Sequence, residues 1–536
     1  MARQVLVIGL DGGTWAVFDR FMALGLMPNL QRLCATGYRA KLMSVVPSLT
    51  PSAWTSFATG VNPGKHGVFG WTLPQQAPGE YWAPPVRCDA ITEPTLWRRL
   101  SDAGLRCSVV CVPLTYPPQP VNGALVTGML TPGPDADCTW PPDLKQELAA
   151  HGCLPRFEID VTPSPAGGWE LPQIDDVTRL TEEVFRTTQY LIARPWDFFM
   201  VVFVGTDRLQ HTQWDSIMAA ASGAETPAAR RLRDFYTMID ERLGRVIDLA
   251  GPDATCILMS DHGLGRCAGR FSFCRWLINR GYASYRPKRL RQVAKKVLNA
   301  SGLRRLVERT LSAETFAQVS TGTVPLDWGR TRVFPYHGGL GFRINLKGRE
   351  KQGMIEPGAE FEALREELRR ELLALTVPPD ERPIVSQVYY AEEFYQGPYV
   401  AFAPDVIAVA DPEVGYEFDF GNPGVPDLVM HDLVFNGNHR ADGILLACGP
   451  GVRSVRDAPP ARIIDLTPTI LWLLGRPVPE NMDGRVLREA FANDTEVLTE
   501  PTVAGGSAQP PLPPPAQYSP EERQVIEERL RKLGYL

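Results

Sequence analysis

Short, almost uniformly apolar runs recur along the chain, separated by longer segments in which apolar positions follow helical spacing. Uniform runs are typical of strands that helices cover on both faces of a parallel sheet. They predict strands at residues 4–10, 40–46, 107–112, 198–204, 255–259, 405–410 and 443–448. The helical spacing predicts helices at residues 14–25, 29–36, 52–59, 174–192, 228–249, 360–373 and 465–474. This alternation predicts an α/β fold with a mostly parallel central sheet between two helical layers.

Two stretches depart from this pattern and suggest how the chain divides. Residues 268–340 are basic, helical in spacing and poor in buried-strand signals, so we expect them to form an inserted cap or substrate region. The remaining residues 1–267 plus 341–495 would then form one catalytic domain. Residues 496–518 are a Pro-rich linker, and residues 519–536 predict a C-terminal helix.

Composition narrows the function classes. The 536 residues are 44% hydrophobic, enough for a large core, and the net charge of -6 argues against a general nucleic-acid-binding surface. The ten cysteines form no C-x-x-C pair, which is typical of reduced, buried thiols. The sequence shows neither a signal peptide nor a membrane-spanning run, so we expect a cytoplasmic protein without a membrane partner. It does not specify the oligomeric state, and a homodimer is an open alternative.

Metal-binding residue types follow two of the predicted strands. Asp207 and His211 come after the strand at 198–204, and Asp261 and His262 come after the strand at 255–259. An i, i+4 spacing places Asp207 and His211 on one face of a helix, where they can bind one ion. A surface helix pair explains that spacing equally well. Asp261 and His262 would diverge in an extended strand, but a turn at Gly263 would let both reach one ion.

Three more residues complete a candidate set. Asp11 ends the first strand, Thr50 or Ser52 would cap the helix that follows, and His439 lies in a predicted loop before a buried strand. Each has an ordinary structural interpretation when taken alone: a turn aspartate, an N-cap and a loop histidine. Two metal ions need about seven Asp, His and hydroxyl ligands with positions left open for substrate. The candidate ligands are Asp11, Thr50, Asp207, His211, Asp261, His262 and His439. Ligation without thiolate suits two Zn²⁺ ions, with Mn²⁺ as an alternative.

The order of these motifs resembles the alkaline phosphatase superfamily, and within it the type I phosphodiesterase/nucleotide pyrophosphatase branch. The motifs that carry the resemblance are VIGLDGG, TPSAWTSFATGVNPGKHG, TDRLQH, SDHG, NHRADG and DLTPTILWLLG. The resemblance spans residues 5 to about 487 and implies an alkaline-phosphatase-like three-layer sandwich. It also assigns Asp207, His211 and His439 to one metal, and Asp11, Thr50, Asp261 and His262 to the other.

The resemblance further implies a phosphoryl transfer in which Thr50 is the nucleophile and forms a phosphothreonine intermediate. The expected substrates are small phosphate esters, namely phosphodiesters or nucleotide pyrophosphates. The chain departs from that branch because it lacks the Asn that follows the nucleophile and donates to a phosphoryl oxygen. Asn62 and Lys65 are candidate replacements, and Ser48 and Ser52 are alternative nucleophiles. A phosphomonoesterase, a phosphotransferase such as a mutase, and a non-catalytic binding protein of this fold are the competing hypotheses.

Overall fold

The computed structural model describes most of the chain, and its description covers twelve stretches. These are residues 4–73, 84–159, 161, 163, 167–285, 326–336, 341–378, 381–420, 427–431, 434–492, 499–500 and 518–532. Most of the predicted insertion at 268–340 and of the predicted linker at 496–518 therefore lies outside the described residues. So do the last four residues of the predicted C-terminal helix.

The described strands and helices alternate through the first two-thirds of the chain. The strands are β1 Gln4–Leu10, β2 Tyr38–Met43, β3 Cys107–Val112, β4 Gly123–Thr127, β5 Thr139–Trp140, β6 Phe198–Phe203, β7 Ala254–Met259, β8 Gly263–Arg266, β9 Gly269–Ser272, β10 Val333–Pro335, β11 Phe342–Ile344, β12 Val385–Tyr390, β13 Val406–Ala410, β14 Tyr416–Asp419, β15 Val429–Met430, β16 Gly437–Arg440, β17 Asp442–Cys448, β18 Val455–Arg462, β19 Val478–Pro479 and β20 Thr499–Glu500. The α-helices are α1 Trp15–Ala23, α2 Pro28–Thr36, α3 Thr50–Thr59, α4 Pro63–His66, α5 Leu96–Asp102, α6 Leu144–Ala150, α7 Glu170–Ile192, α8 Gly205–Ala221, α9 Pro227–Ala250, α10 Phe273–Asn279, α11 Ala359–Leu373, α12 Ala391–Phe394, α13 Leu466–Leu473 and α14 Pro520–Lys532.

A nine-stranded sheet in the order β18-β2-β17-β7-β1-β6-β3-β4-β5 forms the centre of the molecule. Only β17 and β5 run opposite to their neighbours, so the sheet is mostly parallel, as predicted. Successive residues of β1 enter different apolar clusters: Leu6 and Ile8 pack towards α1, α7, α8 and α9, whereas Val5 and Val7 pack towards α3 and α13. Burial of both sheet faces confirms the three-layer sandwich and explains why the central strands β1, β3, β6 and β7 are almost uniformly apolar.

A smaller region packs beside this sandwich. Its sheet has the order β10-β11-β13-β12, and α10 and α11 contribute to the same apolar cluster, which runs from Phe271 to Phe418 among its buried members. The described parts of the predicted insertion, 268–285 and 326–336, belong to this cluster. The cluster continues well past residue 340, so the predicted boundary there does not coincide with an edge of the packing.

Helix α14 lies against the sandwich near the ends of β3 and β4. Its Ile526 and Leu530 are buried in a cluster that also contains Tyr116 and Leu130. Ser519 and Glu522 exchange hydrogen bonds between side chain and backbone, the capping-box arrangement that fixes a helix start. No helix among the described residues is long and apolar enough to cross a membrane.

Candidate functional site

The candidate ligands meet at the carboxyl edge of three adjacent strands in the centre of the sheet. Asp11 follows β1, Asp261 and His262 follow β7, and Asp207 lies in the first turn of α8, directly after β6. The order β7-β1-β6 makes these strand ends neighbours, although they are far apart in the sequence. This edge is where open α/β sheets bind their ligands.

Asp207, His211 and His439 form the first group of converging ligand atoms. The Nε2 atoms of His211 and His439 lie 2.9 Å apart, and Oδ1 of Asp207 lies 3.2 Å from the former and 3.7 Å from the latter. Ligands bonded at about 2.0–2.1 Å to a tetrahedral zinc ion are themselves about 3.3–3.4 Å apart. The spacing of this group therefore fits one metal ion. The predicted i, i+4 pair does share one face of a helix, since α8 carries both Asp207 and His211.

Asp11, Thr50, Asp261 and His262 form the second group, centred on the imidazole of His262. Its Nε2 lies 3.2 Å from Oγ1 of Thr50, 3.2 Å from Oδ2 of Asp261 and 3.8 Å from Oδ1 of Asp11. The rings of His262 and His439 stack with centroids 3.6 Å apart, so the two groups share a border. The structure therefore brings all seven predicted residues together.

The three imidazoles are oriented by backbone carbonyl oxygens. The Nδ1 atoms of His211, His262 and His439 lie 3.1, 3.1 and 2.7 Å from the carbonyl oxygens of Gly437, Gly263 and Ser48, respectively. A carbonyl oxygen only accepts hydrogen bonds, so each Nδ1 carries the proton. Each Nε2 then presents its lone pair to the centre of the site. Metal-binding histidines are commonly oriented in this way.

The carboxylate oxygens of the site lack hydrogen-bond donors. Among the described residues, no group donates to Oδ1 of Asp11, to either oxygen of Asp207 or to Oδ2 of Asp261, although all three side chains are buried. A buried charge without a partner is costly. Imidazole lone pairs that point into the site, next to carboxylate oxygens without hydrogen-bond donors, form an arrangement that divalent cations stabilise. The residues present therefore fit the metal ions that the sequence implies.

In the second group, burial and mutual repulsion raise the pKa values of the carboxyls. Burial, followed by the negative charges of Asp261 and Asp207, raises the pKa of Asp11 well above its usual range. Burial, with a further contribution from Asp207, also raises the pKa of Asp261 to about 6, although His262 opposes the shift. The protein alone therefore disfavours three ionised carboxylates at this edge, and a cation would reverse that preference.

In the first group, by contrast, nearby positive charge lowers pKa values. Burial disfavours the charged form of Asp207, but its interactions with His211 and Arg208 outweigh burial and hold the pKa of this carboxyl well below its usual range. Burial, together with the neighbouring His262 and His211, lowers the pKa of His439 far below that of a free imidazole. His439 is thus kept neutral, the form that binds a metal.

Two local predictions were wrong. Helix α3 begins at Thr50 itself, with Leu49 as the N-cap, so neither Thr50 nor Ser52 caps it. The Thr50 hydroxyl therefore takes no part in capping the helix and faces His262. His439 lies in strand β16, which pairs with β8, rather than in a loop. The backbone of β16 and its neighbour thus fixes the position of His439.

The proposed replacements for the missing Asn are engaged elsewhere. Asn62 Nδ2 and Lys65 Nζ both donate to the carboxylate of Asp483, which ties α4 to a distant loop. Of the alternative nucleophiles, Ser52 is fully buried and Ser48 contributes its carbonyl oxygen to His439. The structure places only the Thr50 hydroxyl, among these three, against a candidate metal ligand.

Further orienting groups escaped the sequence interpretation. The indole N–H of Trp54 donates to Oδ2 of Asp11 at 3.3 Å, and the backbone N–H of Gly12 donates to Oδ1 of Asp261 at 3.2 Å. Trp54 lies four residues after Thr50 on α3, so a helical projection places both on one face. Its pairing with Asp11 depends on tertiary packing and has no local signal.

Gly437 lets strand β16 lie close to helix α8, which brings His439 on the strand next to Asp207 and His211 on the helix. A Cβ at this position would lie 2.0 Å from the carbonyl oxygen of Gln210 in α8. Gly437→Ala is therefore expected to push β16 away from α8, separating His439 from His211 and lowering metal affinity by roughly 10–100-fold. Metal titration and thermal unfolding would measure this. Gly133→Ala is the matched control, because a Cβ there meets nothing within 4 Å; equal metal affinity in both variants would contradict the prediction.

Comparisons with known proteins identify the family of the chain. The family model for type I phosphodiesterase/nucleotide pyrophosphatase matches residues 5–439. A phosphonoacetate hydrolase from Sinorhizobium meliloti 1021, solved with phosphonoacetate, has a TM-score of 0.50 at 17% identity, covering 88% of this chain and 96% of that chain. Human ectonucleotide pyrophosphatase/phosphodiesterase 5 has a TM-score of 0.49 at 14% identity, covering 91% of this chain and 100% of that chain. A search of curated proteins found no match.

The family model covers more than half of the chain, and the matched residues include all seven candidate ligands. The solved phosphonoacetate hydrolase agrees in fold. The chain therefore belongs to the type I phosphodiesterase/nucleotide pyrophosphatase family, a family of phosphoester hydrolases within the alkaline phosphatase superfamily.

Proposed function

We propose that the protein is a two-metal phosphodiesterase that works through a phosphothreonine intermediate at Thr50. The observation that carries this proposal is the convergence of seven metal-ligand side chains, including the Thr50 hydroxyl, on one buried edge of the sheet. Three imidazole lone pairs and four carboxylate oxygens without donors among the described residues point to two cations. The family match supports phosphoester hydrolysis, and the ligand chemistry supports metal dependence.

The ligands divide between the two ions as the distances suggest. Asp207, His211 and His439 would hold one ion, and the other four residues would hold the second. Nitrogen and carboxylate ligands favour Zn²⁺, while Mn²⁺ is the alternative. When bound, the ions supply Lewis-acid stabilisation of the phosphoryl oxygens and favour the ionised form of a bound hydroxyl.

Thr50 performs the first displacement. Its Oγ attacks phosphorus, a P–O bond forms, and the bond to the leaving ester oxygen breaks, giving a phosphothreonine and an alcohol or phosphate product. Water then attacks the same phosphorus and releases Thr50 with its hydroxyl restored. Thr50 is the first residue of α3 and Pro51 has no N–H, so the amides of Thr50 and Ser52 are the donors that the helix start would offer to the charge on the reacting oxygens.

We propose phosphodiesters or nucleotide pyrophosphates as the substrate class, with phosphomonoesters as the alternative. The loss of the family's Asn donor makes the nucleotide assignment weaker than the phosphoryl-transfer chemistry. The murine relative of human ectonucleotide pyrophosphatase/phosphodiesterase 5 has been solved as an inactive form with AMP, at 14% identity, a TM-score of 0.45, and coverage of 90% of this chain and 97% of that chain. A nucleotide ligand is therefore established for that protein and stays a proposal for this one.

Hydrolysis of two chromogenic esters separates the candidate activities. Metal-loaded protein is expected to hydrolyse bis(4-nitrophenyl) phosphate with a kcat/KM about tenfold or more above that for 4-nitrophenyl phosphate. Chelation followed by Zn²⁺ or Mn²⁺ addition should abolish and restore the signal, and metal analysis should find two ions per chain. A strong preference for the monoester would overturn the diesterase assignment, whereas full activity after chelation would overturn metal dependence.

The remaining sequence-based expectations stay proposals. We keep as a proposal the catalytic domain of residues 1–267 plus 341–495 with a cap formed by 268–340, although the apolar cluster of the smaller region also includes residues between 342 and 418. A cytoplasmic location and a homodimer also stay proposals.

A further inference from the structure

A cavity of about 70 Å³ adjoins the metal-ligand cluster beyond the carboxyl ends of β3, β4 and β6. Its walls are mainly apolar and come from α7, the strand ends and the segment before α7. The principal apolar residues are Met129, Leu180, Val184, Val202 and Val204. Neither the metal ligands nor Thr50 line it, so the proposed chemistry leaves the cavity unexplained.

Three arginines reach this cavity, and two of them are paired. Arg156 forms ion pairs with Asp176 and Glu183, and Arg529 of α14 pairs with Glu158 and donates to the backbone. Their charges are therefore compensated within the protein.

Arg208 is different, because it is nine-tenths buried and makes no side-chain hydrogen bond to any residue that the structure describes. Its nearest carboxylate atom is Oδ2 of Asp207, at 3.9 Å from Nη1, which is beyond hydrogen-bond distance. A buried guanidinium has five donors to satisfy. Acceptor oxygens supplied by a ligand would form charge-assisted hydrogen bonds with these donors, so the position favours an anion that arrives with a substrate.

We propose that this cavity is a substrate subsite in which Arg208 binds an anionic group on the non-reacting arm of the phosphoester. The inference rests on the proposed function, because the arm must belong to a substrate whose phosphorus lies among the metal ligands. Arg208 follows the metal ligand Asp207 directly, so the subsite and the reacting centre are one side chain apart. The anion is a carboxylate or a second phosphate, the two groups that a planar guanidinium pairs with bidentately.

The lining of the cavity indicates the chemistry of the arm. A mainly apolar wall beside an arginine without side-chain hydrogen bonds to the described residues suits a short hydrocarbon arm that ends in an anion. The subsite therefore points to acidic phosphodiesters with such an arm.

Two diesters that share a leaving group test the subsite. The probes are 4-nitrophenyl 2-carboxyethyl phosphate and 4-nitrophenyl ethyl phosphate, which differ only in the carboxylate. Metal-loaded wild-type protein should show a kcat/KM ratio of about tenfold or more in favour of the carboxylate. Arg208→Met should bring this ratio close to one, and Arg208→Lys should retain part of it. Because each ratio is taken within one variant, a general loss of activity cancels.

Two further variants provide the controls. Val184→Phe fills the cavity and should also lower the ratio, whereas Arg242→Met removes an arginine that pairs with Glu182 outside the cavity and should leave it unchanged. A ratio near one in wild-type protein, or an unchanged ratio in Arg208→Met, would overturn the proposal.

A binding measurement separates this proposal from the proposed function. If metal-loaded wild-type protein hydrolyses neither diester, the diesterase assignment fails and propionate binding decides the subsite. Propionate should raise Tm in wild-type protein, while 1-propanol should not, and Arg208→Met should lose the shift. An equal propionate shift in Arg208→Met would place the carboxylate on the metals or elsewhere and would overturn the subsite.

Discussion

Replacing Thr50 with alanine is expected to lower kcat for phosphodiester hydrolysis by about 10⁴-fold or more while most of the bound metal is retained. The Thr50 hydroxyl is almost fully buried and lies 3.2 Å from Nε2 of His262. Without it, the chain loses the atom that forms the covalent intermediate, whereas Asp11, Asp261 and His262 remain to hold the ion. Stopped-flow turnover and metal analysis on the same preparation would measure both quantities.

Two variants on the same helix make this test specific. Thr50→Ser keeps a hydroxyl in place and should recover much of the activity. Thr55→Ala removes a buried hydroxyl one turn further along α3 that accepts and donates no hydrogen bond within the described residues, so its turnover should stay close to that of wild type. If Thr50→Ala retains wild-type turnover, the nucleophile lies elsewhere, and Ser52→Ala would be the next variant to measure.

The sequence predicted six of the nine central strands within a few residues, namely β1, β2, β3, β6, β7 and β17, and missed β4, β5 and β18. Most of the predicted strands are apolar throughout because they are buried on both faces. A continuous apolar run such as that of β6 has few alternatives in a chain of this length. The position of a ligand directly after such a strand then follows from topology, which is why Asp11, Asp207 and Asp261 could be placed at one sheet edge.

The rest of the site depends on contacts between distant segments. His439 was predicted in a loop because β16 is only four residues long and gains its conformation by pairing with β8. The closeness of Gly437 to Gln210 and the hydrogen bond from Trp54 to Asp11 likewise have no local signal. Asn62 and Lys65 were plausible phosphate donors by position, yet both pair with Asp483, more than 400 residues away.

The role proposed for Arg208 likewise depends on contacts that the sequence does not reveal. Nothing in its place in the sequence, next to Asp207, singles it out. Only the packing reveals that its guanidinium is buried beside a cavity without a hydrogen-bond acceptor among the described residues. The sequence therefore predicted the reacting centre, whereas the group that would select the substrate emerged from the structure.

Replacing one ligand of each group is expected to reduce the metal content from about two ions to about one per chain. His439→Ala removes a nitrogen from the group that contains Asp207 and His211, and Asp261→Asn removes a carboxylate from the group around His262. His151→Ala is the control, since that imidazole is exposed and contacts only its own helix and Tyr190. Two ions still bound in both ligand variants would contradict the ligand assignment.

The same Asp261→Asn variant should have opposite effects on stability with and without metal. Burial, with the negative charge of Asp207, raises the pKa of Asp261 to about 6 in the folded protein without metal, above the unfolded value of about 3.9. Metal-free stability therefore falls as pH rises from about 4 to about 6, and the full penalty, on the order of 2–3 kcal/mol, persists at pH 8.

The neutral amide removes this penalty, so metal-free Asp261→Asn should unfold at a higher temperature than metal-free wild type at pH 8. In saturating Zn²⁺ the order should reverse, because wild type gains a bound ion that the variant loses. Thermal unfolding of both proteins at pH 8, with chelator and with Zn²⁺, measures the two signs, and an unchanged order would show that Asp261 does not bind metal.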